Sequence, residues 1–258
     1  MRKSIVVGIA AALLAGAGVV AAEHAFGAET PAYHPTRLAH VGDAKQLIVV
    51  VGDGPKSSYS RVYTYEKNTT GTWSVKFGAM AGRNGYSGWA WASSRVQNTG
   101  TSPSGTFPIT LAFGLKPNPG TRTAYRRVDS NDYWVGDDKD PKTYNILQPQ
   151  ASPKRTWRTS QAEKLASYPT QYEYAAVIDF NRPAPSSITY NKTLGEHVTS
   201  RPANVKRGSA IFLHVNGKGS TAGCVSVSRT NMINVLKWLN PAMKPRIVMA
   251  PSADIGRA

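Results

Sequence analysis

Cysteine is almost absent from this 258-residue chain; Cys224 stands alone. An odd thiol cannot close an internal disulfide, so it is buried and inert, paired to another chain, or kept for its reactivity. Acidic residues are also few. Asp plus Glu number 15 against 31 Lys plus Arg, a formal charge of +16. That balance favours polyanionic surroundings such as nucleic acid, an acidic membrane or an anionic cell wall, with a basic solubilising surface as the plainer alternative. No internal repeat, Gly/Ser linker or block of charge divides the chain. Neither disorder nor a multidomain array is therefore expected. A content of 41% hydrophobic and 9% aromatic residues is enough for a sizeable core.

Long apolar runs are missing except at the N-terminus. Met1-Arg2-Lys3-Ser4 is basic, and the 18 residues from Ile5 to Ala22 are uncharged and rich in Ala and Gly. Small residues then offer cleavage after Ala22 or Gly27. This is the pattern of a secretory signal peptide over 1–27, with an uncleaved N-terminal anchor as the alternative. Export makes nucleic acid a poor partner. An anionic wall becomes the better reading of the charge, and the expected location is extracytoplasmic, against the cell wall.

Residues 28–43 show no sustained period and read as a flexible mature N-terminus. Gln46–Gly52 is a continuous β-branched run, the signature of a buried strand. Arg61–Glu66 and Thr72–Ala79 follow, joined by the turn Asn68-Thr69-Thr70-Gly71, as in a hairpin. Ala81–Ser94, with Tyr86, Trp89 and Trp91, reads as a structured loop. Asp137, Asp138 and Asp140 read as a solvated turn, since their spacing matches no calcium loop. Ser160–Tyr168 has a capping-box pattern, Ser160 with Glu163, and predicts a helix. Glu173–Phe180 reads as a buried strand. Met232, Val235, Leu236 and Leu239 fall at helical spacing, with Ser228 or Thr230 as cap and Pro241 beyond the end. Arg246–Ala250 is a final strand. The expectation is one mainly-β domain over 44–252, of eight to ten short strands and two helices.

Cys224 lies ten positions after His214, across the polar segment Asn216-Gly217-Lys218-Gly219-Ser220-Thr221. Two strands joined by a short turn would carry the pair. By the pleat, Ile211, Leu213 and Val215 share one face while Phe212 and His214 share the other. Val225 and Val227 likewise oppose Ala222, Cys224 and Ser226. Thiol and imidazole therefore leave the aliphatic face together, as a cleft-lining nucleophile–base pair must. A neighbouring imidazolium can hold such a thiol as thiolate and then hand its proton to a leaving amine. Gly223 leaves room for a substrate carbonyl, and the backbone N–H groups of Gly223 and Cys224 are candidate oxyanion donors. No acid lies beside His214 in sequence, so a backbone carbonyl, that of Val215, is expected to orient it. Ser220, Thr221 and Ser226 are the candidate substrate-binding hydroxyls. His24, His34, His40 and His197 show no ligand spacing around Cys224. Neither a metal nor a cofactor is expected.

These residues resemble the catalytic motif of the bacterial L,D-transpeptidases, a strand His followed by Ser/Thr-His-Gly-Cys. His214 matches the first His, and Thr221-x-Gly223-Cys224 matches the end. The segments T-S-P-S-G-T-F-P-I-T at 101–110 and G-S-A-I-F-L-H-V at 208–215 are similar to others of the family, so the likeness spans about 44–252. It implies a mixed β-sandwich with a loop capping the cysteine. It also implies acyl transfer from peptidoglycan stem peptides through a Cys224 thioester, by a monomer without cofactor. Departures are Ala222 where the family has its second His, a shorter His-to-Cys spacing, and Ser226 where an Arg is common. Carboxylate recognition would then fall to Arg201, Arg207 or Arg229. L,D-carboxypeptidation, with water in place of the amine, is the alternative reaction. A catalytically weak, basic wall-binding protein is the alternative of a different class.

Overall fold

Gln46–Gly52 forms the strand its β-branched run predicts, and its two faces explain much of the architecture. Ile48 and Val50 enter one apolar cluster, while Leu47 and Val49 enter a second on the opposite side. A strand buried on both faces needs a packed layer on each. The computed structural model, which describes residues 31–149 and 152–258, supplies both. The expected export segment, 1–27, lies outside the described residues.

In chain order the strands are β1 (Gln46–Gly52), β2 (Tyr59–Lys67), β3 (Trp73–Arg83), β4 (Trp89–Trp91), β5 (Ser102–Pro108), β6 (Leu111–Gly114), β7 (Ala124–Arg127) and β8 (Tyr133–Val135). They continue with β9 (Leu147–Gln148), β10 (Ala162–Lys164), β11 (Ala175–Val177), β12 (Ile188–Asn191), β13 (Glu196–Thr199), β14 (Phe212–Val215), β15 (Val225–Val227) and β16 (Arg246–Pro251). Eleven of them form one sheet in the order β4-β5-β16-β1-β2-β3-β15-β14-β11-β6-β7. Ile48, Ile247 and Met249 from one stretch of it share a cluster with Leu213, Val215, Val225 and Val227 from another. The sheet therefore folds over on itself, giving the mainly-β sandwich. The helix α1 (Arg229–Trp238) packs Met232, Val235 and Leu236 into the same core. Its cap is Ser228, whose Oγ accepts the Asn231 N–H at 3.3 Å.

The second cluster corrects one expectation. The described part of the presumed flexible segment, 31–43, is packed. Tyr33 stacks on Tyr63 with centroids 4.5 Å apart, Leu38 is buried, and the Ala39 N–H donates to the Gly256 carbonyl at 3.0 Å. Together with Ile255 and Ala258 it covers the outer face of β1 and β16. The absence of periodicity there means irregular backbone, which can still bury side chains.

Ser160–Tyr168 is also not an α-helix. Two single 3-10 turns, Thr159–Gln161 and Leu165–Ser167, flank β10, which pairs with β8. The Glu163 carboxylate accepts the Tyr172 hydroxyl and caps nothing. Strand pairing and that contact outweigh the local capping signal. The acidic cluster likewise has a structural use: Asp137 is buried and accepts Arg158 Nε at 2.9–3.0 Å. This pair pins the excursion between β7 and β11, which holds the small sheet β10-β8-β9. The excursion is the cap over the thiol.

Candidate active site

His214 and Cys224 reach one cavity by a route that differs from a hairpin. β14 and β15 are parallel, with Leu213 beside Val225 and His214 beside Ser226. Segment 216–224 thus carries the chain back along β14, without a crossover helix. It delivers Cys224 level with Phe212. The pleat holds as expected: Ile211, Leu213, Val215, Val225 and Val227 enter the main core, while Phe212 and Cys224 join Phe113, Trp134 and Tyr172. The thiol sits at the edge of this aromatic cluster, where a cavity of about 650 Å³ opens under the cap. Cys224 and His214 both line it, 8% and 5% exposed.

Three backbone positions shape the thiol's surroundings. The Phe212 N–H donates to Cys224 Sγ and the thiol faces the Ala210 carbonyl, each at 3.3 Å. Ala210 has a left-handed backbone, φ +56°, which costs on the order of 1 kcal/mol or more unless neighbours enforce it. Asn145 does so: its Oδ1 accepts both the Ala210 N–H at 3.1 Å and Trp134 Nε1–H at 2.7 Å. Gly223, at φ +142°, has no room for a side chain, since a Cβ would lie 2.9 Å from Arg95 Nη2 and 3.0 Å from the Thr101 carbonyl. Ser102 Oγ donates to the Gly223 carbonyl at 2.7 Å. The 101–110 segment thereby holds the motif turn.

The Val215 carbonyl lies 2.8 Å from His214 Nδ1, as expected of an orienting group. A carbonyl can only accept, so Nδ1 carries the hydrogen and Nε2 is the basic nitrogen. Thr221 Oγ1 donates to the Cys224 carbonyl at 2.6 Å and accepts the Gly223 N–H at 3.2 Å. That N–H is thus engaged within the turn and is not presented to a substrate; Thr221 locks the turn while lining the cavity. Ser220 and Ala222 also line it. Ser226 does not: it lies fully buried within the sheet, between His214 and Arg83 on the flanking strands.

Electrostatics depart from a thiolate–imidazolium pair. Burial pushes the Cys224 thiol up to about 12, with the nearby Glu163 carboxylate adding to the rise. Burial also pulls His214 down to about 4, against a smaller upward pull from the Val215 hydrogen bond. The resting site therefore holds a neutral thiol and a neutral imidazole, suited to attack with concerted proton transfer. Burial raises Glu163 to about 7, offset in part by the Tyr172 hydroxyl.

Arg95 was not singled out by the sequence. It is 4% exposed and lines the cavity. Its Nε and Nη1 donate to the Thr101 and Arg207 carbonyls at 2.8 and 2.6 Å. No described residue accepts from Nη2, which lies against Gly223. Of the arginines expected here, Arg201, Arg207 and Arg229 lie outside the cavity lining, and Arg229 pairs with Glu173. Glu163 and Tyr172 were also missed, because Glu163 reads in the sequence as a helix-capping acid and nothing there marks Tyr172.

Neither a curated protein nor a solved structure matches this chain. A family model does, YkuD, the L,D-transpeptidase catalytic domain, over residues 45–248. The matched span contains the whole cavity and both motif residues, His214 and Cys224. The chain belongs to the YkuD family of L,D-transpeptidase catalytic domains, cysteine-dependent enzymes that act on peptidoglycan stem peptides.

Proposed function

We propose that this protein is a peptidoglycan L,D-transpeptidase that works through a thioester on Cys224. The observation that carries the reading is a free thiol lining an open cavity together with a histidine of fixed tautomer. Sγ attacks the carbonyl carbon of the stem-peptide donor while His214 Nε2 takes the thiol proton. The C–N bond then breaks, and the same proton goes to the departing amine. Charge that develops on the carbonyl oxygen meets the Cys224 N–H and the Arg95 guanidinium, a cation with an uncommitted donor. An oxyanion donor of this kind contributes on the order of 3 kcal/mol to a transition state. Hydrolysis of the same thioester would give a carboxypeptidase.

Residues 1–27 would export the protein, or anchor it, at the cell wall. The +16 charge would hold it on anionic wall polymers, less so as salt rises. The test is digestion of purified muropeptides. Wild type should yield cross-linked or trimmed stems, and Cys224→Ala neither. Wild type that leaves muropeptides untouched yet pellets with wall material would favour the binding protein instead.

A further inference from the structure

The cap carries an acid that the acylation step does not use. Glu163, on β10, is the one carboxylate among the residues lining the cavity, where the other charged side chains are Arg95 and Lys218. Its Oε1 accepts the Tyr172 hydroxyl. Among the described residues no Lys or Arg pairs with it, in a chain where such groups outnumber acids by 31 to 15. Tyr172 also links it to the catalytic pair: its ring stands edge-on to His214, with centroids 5.6 Å apart and planes at 90°.

An unpaired carboxylate on the wall of an acyl-enzyme cavity is placed to meet a cation that arrives with the second substrate. We propose that Glu163 binds the ammonium group of an amine acceptor and takes one of its protons, so that a neutral amine attacks the Cys224 thioester. This rests on the thioester reading above and assigns the half of the reaction that His214 does not serve. The acceptor enters as R–NH3⁺, and one proton passes to the free oxygen of Glu163. The nitrogen lone pair then forms the C–N bond as the C–Sγ bond breaks. The second nitrogen proton passes through His214 Nε2 to the departing sulfur, which restores the thiol. Glu163 returns its proton to solvent.

The surroundings suit that exchange. The titratable and charged groups around Glu163 are Tyr168 and Tyr172 on the cap, Cys224 below it, and His214, Arg95 and Lys218 around the cavity. The catalytic pair keeps its charge near neutrality, since His214 falls to about 4 and Cys224 rises to about 12, while Glu163 rises to about 7. Water arrives uncharged and needs no such partner. Glu163 therefore biases the thioester toward transfer and away from hydrolysis.

The experiment uses a tetrapeptide stem as both donor and acceptor. It reads Cys224 acylation by intact mass, and cross-linked dimer against trimmed tripeptide by chromatography. With Glu163→Gln we expect the dimer-to-tripeptide ratio to fall at least 10-fold at pH 7, beyond any change in acylation. The ratio should recover toward pH 10, where the amine loses its proton unaided. Tyr172→Phe keeps the ring and removes one donor to Glu163, so its ratio should rise at a higher pH than wild type. A ratio unchanged in Glu163→Gln, or a fall that does not recover at high pH, overturns the proposal. Wild type that never acylates overturns the thioester reading, and this one with it.

Discussion

At the scale of single residues, the neutral state of the pair is what governs chemistry. A thiol raised to about 12 by burial is almost wholly protonated at pH 7. Alkylation of the free protein by iodoacetamide should then run roughly 100-fold or more below a free cysteine at pH 7, climbing beyond pH 9. A plateau with an apparent value below 7 would show an ion pair instead. His214 has the opposite sign. Its folded value, about 4, lies below the ordinary 6.5, so the unfolded chain binds the extra proton between them. Stability should fall as pH drops from about 6.5 to 4, by up to about 3 kcal/mol, and His214→Gln should flatten that dependence. The identities of Cys224 and His214 were legible because a lone thiol behind an expected export segment calls for a reason, and the pleat put both on one face. Their charge state was not legible. It depends on burial by Phe212, Tyr172 and the cap, which come from separate parts of the chain.

At the scale of elements, strands with continuous β-branched runs were legible, and so was α1 with its Ser228 cap. Direction was not. The short polar segment after His214 reads as a short turn between two strands, with nothing to fix their direction, and it returns the chain to make β14 and β15 parallel. Thr221 holds that return by bonding both the Gly223 N–H and the Cys224 carbonyl. Thr221→Val keeps the shape and removes both bonds. Loss of about 1–1.5 kcal/mol of positioning should slow acylation of Cys224 about 10-fold, with Thr221→Ser close to wild type. Equal rates for the valine and serine variants would mean that the turn holds without Thr221. The Ser160–Glu163 capping signal misled for a related reason. Pairing of β10 with β8, which lies well before it in the chain, set the backbone there.

At the scale of the whole molecule, the folded-over sheet carries three apolar clusters, and two of them, the main core and the aromatic cluster that holds Cys224, meet at β14 and β15 beside the cavity. The third lies between β1, β16 and the two described termini. Leu38→Ala should therefore cost about 2–3 kcal/mol by urea denaturation while leaving the acylation rate of the folded protein within about 2-fold. A large loss of rate at full folding would couple the far layer to the site. The sandwich was legible from its strands and from the likeness around Thr101–Thr110 and Gly208–Val215. The cap was legible only as an expectation of the family, since its contents, Glu163 and Tyr172, sit in a stretch without periodicity. The central claim is that Cys224 forms the acyl-enzyme with His214 as its base. The direct measurement is the intact mass of the protein after brief exposure to a carbapenem. One adduct is expected, mapped to Cys224, absent in Cys224→Ala and slowed about 100-fold or more in His214→Ala at pH 7. An unmodified wild type, or His214→Ala labelled as fast as wild type, would contradict it.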